Sequence, residues 1–169
     1  MERRTLMGGL LMASGFVGVS RLGAERQPCD DDGNENALWR LQNARSFFPN
    51  REFACPGDLF YQLGIVSQLA LTACVIADGW SDEDCRRRIG QDVGKAHFYA
   101  KAKGLHFNSD RFARLAPLLS PYGRWRSPAT GDVVDVGKIN AAEAKSAVLQ
   151  LLIAVRSHLV GAEGRAPSR

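Results

Sequence analysis

Residues 59–77 read Leu59-Phe60-Tyr61-Gln62-Leu63-Gly64-Ile65-Val66-Ser67-Gln68-Leu69-Ala70-Leu71-Thr72-Ala73-Cys74-Val75-Ile76-Ala77, nineteen residues without a charge. A helix of that length can cross a bilayer. Gln62, Ser67, Gln68 and Thr72 interrupt the apolar surface, however, and the flanks carry Asp58 and Asp78 rather than basic anchors. A helix apolar nearly all round, among amphipathic neighbours, is the buried centre of a helical domain. It is entered through Pro56-Gly57-Asp58, with proline at a tolerated first-turn position, and left at Asp78-Gly79. The fold class that follows is all-α: a small disulfide-stapled bundle of four to five helices around residues 59–77. No transmembrane anchor is expected; weak membrane association is the minor alternative.

The neighbouring stretches support this centre. Upstream, Leu38, Leu41, Ala44 and Phe48 recur at three and four, which predicts a helix over 37–48 closed by Pro49-Asn50. Downstream, Ser81 and Asp84 have capping-box spacing, and Asp82, Glu83 and Asp84 fill a first turn where the helix dipole favours negative charge. Asp82–Arg86, Glu83–Arg87 and Asp84–Arg88 are i,i+4 pairs in the favourable order. The stripe Cys85, Ile89, Val93, Ala96 and Ala100 continues this third helix to a stop at Gly104. Asn108-Ser109 opens a short helix with Phe112, Leu115 and Leu119 on one face, weakened by Pro117. Residues 120–137 read as a loop with a short extended piece at Val133, Val134 and Val136. Asn140 and Glu143 open a last helix whose stripe is Val148, Leu151, Leu152, Val155 and Leu159, ending at Gly161. Residues 162–169 are expected to be a disordered tail.

The whole sequence is 169 residues, a length that fits one domain, here residues 37–161. Residues 25–36 read as an acidic linker. Residues 1–24 have a charged start, a glycine-diluted uncharged stretch and small residues at Gly23 and Ala24. Arg3-Arg4, one variable residue and then Leu6-Met7 resemble a twin-arginine export signal, although Glu2 stands where such signals usually have Ser or Thr. The resemblance implies cleavage near residue 24 and a periplasmic or secreted protein. The formal charge of +4 owes part of its excess to this segment, so general nucleic-acid affinity does not follow from it.

All four cysteines, Cys29, Cys55, Cys74 and Cys85, lie after that segment. An even number in an exported chain points to two disulfides. If the second and third helices form a hairpin about Gly79-Trp80, Cys74 and Cys85 are equidistant from the turn, which predicts Cys74–Cys85 and leaves Cys29–Cys55. Their separations of 26, 19 and 11 residues, without a CxxC, argue against a metal or iron–sulfur site. No cofactor is expected. DDDG fails the EF-hand template, and no GxSxG, P-loop or GxGxxG motif occurs.

From Arg86 to Arg126 ten basic residues stand against Asp92 and Asp110, with aromatics interleaved. Arginine beside exposed aromatics is an interface composition. The candidates are Arg86, Arg87, Arg88, Lys95, Arg111, Arg114, Tyr122, Arg124, Trp125 and Arg126, and the expected partner is another exported protein with an acidic surface. Solvated charges over a core containing Phe107 and Phe112 are the alternative. The expected function is a non-catalytic binding or accessory protein: an escort or small subunit of an exported enzyme, or a protective inhibitor. Small helical subunits of exported flavin dehydrogenases are similar in their signal and helical content only. The competing class is a small enzyme or redox protein whose site is assembled from scattered residues, such as His97 or His106 with Asp92 or Asp110. His97, His106 and His158 include no i,i+3 or i,i+4 pair.

Overall fold

The computed structural model describes residues 32–53, 55–126 and 140–163. Its elements are α1 (Asp32–Ser46), α2 (Pro56–Ala77), α3 (Asp82–Arg88), α4 (Val93–Ala102), α5 (Asp110–Leu115), a 3₁₀ turn (Tyr122–Trp125) and α6 (Ala141–Glu163). The described residues are all-helical, with no strand. The export-like segment, Cys29, the valines at 133–136 and residues 164–169 lie outside them.

The uncharged stretch forms α2, against which α1, α6, α4 and the 3₁₀ turn all pack. Leu63, Val66, Ala70, Leu71, Ala73 and Val75 are fully buried. The helix is long and apolar enough to span a membrane by composition, yet 72% of its most apolar window is buried by the rest of the chain. The expected stripes are the buried ones. Leu41 and Ala44 of α1, Phe112, Leu115 and Leu119 around α5, and Val148, Leu151, Val155 and Leu159 of α6 all enter the core.

Three boundaries differ from the sequence reading. First, α1 begins at Asp32, inside the expected linker, with Glu35 adding negative charge near its start. Second, the expected third helix is two. Helix α3 ends at Arg88 with Ile89 as its C-cap, and Gly90 adopts φ +60°, a left-handed conformation suited to a residue without Cβ. The chain then restarts at Val93, whose helix is capped by the Asp92 carboxylate on Lys95 N–H at 2.9 Å. The four-residue interval between Cys85, Ile89 and Val93 keeps all three buried across the break. Third, residues 122–125 of the expected loop are helical, and α6 continues to Glu163.

The breaking of that helix removes the basis for Cys74–Cys85. The helix that carries Cys85 spans only Asp82–Arg88, and Cys74 and Cys85 are not at bonding distance. Cys74 faces a cleft with Lys103, Gly104, Ser157 and His158, whereas Cys85 lies in the field of Arg40, Asp82 and Asp84. Both are buried free thiols, and Cys55 is exposed and free. No disulfide joins the described cysteines, and the expected partner of Cys55 lies outside the described residues.

Candidate functional site

The basic segment is largely spent on the fold's own contacts. On α3, the capping box is present: Asp84 N–H donates to Ser81 Oγ at 3.1 Å, and Ser81 N–H donates to the Asp84 carboxylate at 3.3 Å. The Ser81 hydroxyl, which donates to the same carboxylate at 2.7 Å, and then this backbone N–H hold the Asp84 carboxyl below its ordinary range. Arg86 donates to Glu83 through Nε and Nη2 at 2.8 and 2.9 Å, lowering the Glu83 pKa and raising its own. Arg87 approaches Glu83 and Asp84 at 3.6 Å, and Arg88 approaches Asp84 at 3.9 Å. Arg88 also lies over the Trp80 ring. These are pairs on an exposed helix face, individually weak. Asp82, expected to join Arg86, reaches Arg40 of α1 instead.

The aromatic end is built inward. The Trp125 ring stacks on Phe60 with centroids 5.1 Å apart, and its Nε1–H donates to the Leu118 carbonyl at 2.9 Å. Arg124 Nη2 donates to the carbonyls of Pro117 and Leu118. Arg126 lies over Tyr61, and Tyr61 meets Tyr122 edge-on. Burial, with Tyr61 adding to it, raises the Tyr122 pKa. Tyr122 can sit this close because position 64 is glycine: a Cβ there would lie 2.3 Å from the Tyr122 Cβ. Trp125 and Arg126 therefore fasten the 3₁₀ turn to α2, and Arg124 ties it back to the Pro117–Leu118 segment. Lys95, Arg111 and Arg114 stay on the exposed surface of α4 and α5.

Asp92 and His97 meet Ser120 around one cleft of about 470 Å³ between α4 and α5. Each has a structural engagement. Asp92 caps α4, and Ser120 Oγ accepts from Val93 N–H at 2.8 Å and donates to the Ala116 carbonyl at 2.9 Å. His97 Nε2 is 3.4 Å from the Phe107 carbonyl, and its ring is edge-on to Phe107 and Phe112. Burial lowers the His97 pKa; Phe107's carbonyl opposes that shift and Lys101 adds to it. This geometry supplies no aligned nucleophile and base. His106 and His158 line a different cleft, of about 450 Å³, with Cys74, Asp78 and Lys103. Burial pushes the Cys74 thiol up to about 12, which suppresses its nucleophilic form. Asp78 is bonded to Lys103. No group of three or more His, Cys, Asp or Glu side chains among the described residues is arranged to hold a metal.

A different surface exposes large apolar side chains. Leu149, Ile153 and Val160 of α6 are 47, 59 and 50% exposed although large and apolar. With Arg156 they follow i, i+4, i+7 and i+11 spacing, one row along the helix opposite its buried stripe. Arg156 and Val160 enter an open groove of about 620 Å³ whose other wall is α1, lined by Leu38, Leu41, Gln42, Arg45 and Ser46. Trp39, 64% exposed, precedes Gln42 by three residues and Ser46 by seven, placing it on the same side of α1. No sequence motif marked this surface. Its signal was a surplus of apolar residues on α6 beyond those needed for one buried face.

No family model, curated protein or solved structure matches the chain.

Proposed function

We propose that the chain is an exported accessory or inhibitor-type binding protein, acting outside the cytoplasm on a second protein. The observation that carries this reading is the exposed apolar row Leu149, Ile153 and Val160 on α6. Contiguous exposed apolar surface is costly in water and marks docking sites. The compartment rests on the paired arginines and diluted apolar stretch of residues 1–24. Exposed Cys55 is available at the start of α2 for the expected bridge to Cys29 after export. The engagement of Asp92, His97 and Ser120 in helix and turn contacts favours binding over catalysis by those groups.

Native mass spectrometry of the protein recovered from the cell envelope, with and without reductant, tests this reading. The expected species is a 1:1 or higher complex with a second protein, lacking the N-terminal segment. A chain recovered alone, with an activity abolished by His97→Ala, would replace the binding reading with an enzymatic one.

A further inference from the structure

We infer that the groove between α1 and α6 is the docking site for an acidic amphipathic helix of another protein, an assignment that rests on the binding reading above. Arg156 and Val160 belong to both the groove and the row, and Leu149 and Ile153 extend the row along α6 beyond the groove's lining. The anchors at 149, 153, 156 and 160 span about 16 Å at the helical rise, matching about three turns of a partner helix. Leu38, Leu41 and Val160 supply apolar lining, while Trp39 stands beside the groove as a large exposed aromatic.

Charge selects among occupants. The charged lining residues are Arg45 and Arg156; among the described residues neither forms an ion pair and no carboxylate lines the groove. Carboxylates beside the partner's apolar stripe would complement both guanidinium groups, which accept paired oxygens well. A second copy docked through the same face would instead oppose arginine with arginine. A bilayer offers a plane, whereas this surface is an elongated trough between two helices.

The test places the photoreactive residue p-benzoylphenylalanine at position 153 of the full chain, and separately at exposed Phe98 on α4 as a control. Irradiation is carried out in the cells that make the protein, and adducts are mapped by peptide mass spectrometry. The expected adduct from position 153 joins an acidic amphipathic segment of another protein. Arg45→Glu with Arg156→Glu should reduce its yield at least about tenfold. Arg45→Gln with Arg156→Gln gives a smaller loss and guards against misfolding of the charge-reversed chain. An adduct to a second copy, to lipid or to a non-acidic segment overturns the inference, as does a yield that ignores both arginine pairs. An adduct at position 98 alone overturns the groove while leaving the binding reading in place. No protein adduct at either position overturns both.

Discussion

At the scale of single residues, Gly64 is the position at which α2 admits the Tyr122 side chain. In a helix, replacing glycine by alanine should stabilise by about 1 kcal/mol through backbone entropy. Here the new methyl would meet the Tyr122 Cβ at 2.3 Å and its Cγ at 3.0 Å, with the Leu119 carbonyl oxygen at 3.2 Å. Overpacking of this kind costs about 1–3 kcal/mol and here requires the 3₁₀ turn to move. Gly64→Ala is therefore expected to lose about 1–2 kcal/mol net in denaturant unfolding, with altered Trp125 fluorescence. Tyr122→Ala should not rescue it, because the collision is with Cβ, whereas Tyr122→Gly should relieve it in part. A stabilised Gly64→Ala protein would show that the turn is not seated as described. The cysteines provide a second test. After full reduction, iodoacetamide at pH 8 should modify exposed Cys55 at least about a hundredfold faster than buried Cys74. Equal rates would mean that α2 does not bury Cys74.

At the scale of elements, the joint between α1, α2 and α3 depends on Arg40. Its Nε donates to Thr72 Oγ1 at 2.9 Å, and its guanidinium pairs with Asp82, which is 77% exposed on its side chain. Thr72 Oγ1 in turn donates to the Gln68 carbonyl at 2.7 Å. The exposed half of this arrangement is worth little, so Asp82→Asn should cost no more than about 0.5 kcal/mol. The bond to Thr72 is the stronger half. Arg40→Met, which keeps much of the stem, should cost about 1–2 kcal/mol. A double-mutant cycle with Thr72→Val should return a coupling of about 1 kcal/mol. A coupling near zero would mean that α1 is held by its apolar stripe alone. The joint was hidden in the sequence because Arg40 lies 32 residues from Thr72 and 42 from Asp82. Local i,i+4 chemistry instead assigned Asp82 to Arg86. The capping box of α3 and the buried stripes were legible because their partners lie within a turn or two.

At the scale of the whole molecule, apolar periodicity revealed which faces turn inward, but not where neighbouring helices would be interrupted or which outer face would remain apolar. The hairpin inference failed at Gly90. The α1–α6 groove was not visible, because it exists only where two helices distant in the chain lie side by side. The same three-dimensional placement gives overall stability a pH dependence. Half-buried His97 sits among Phe107 and Phe112, where burial disfavours the imidazolium and lowers its pKa from the ordinary 6.5. The unfolded chain therefore binds this proton more readily than the folded one, and stability rises with pH across the interval between the two pKa values. Its contribution is fully present above about 6.5. It falls as pH drops toward the folded value and is constant below that. Glu83 and Asp84 have lowered pKa values and lose their contribution only on further acidification, below their ordinary 4.5 and 3.8. Thermal unfolding at pH 7.5 and pH 5 spans the ordinary histidine range while carboxylates remain mostly ionised, and comparison with His97→Phe separates His97 from His106 and His158. The wild-type midpoint should fall between those conditions, and His97→Phe, an aromatic replacement for the same site, should fall less. If both proteins lose equal stability, the imidazole is solvated in the folded state and His97 does not pack between those rings.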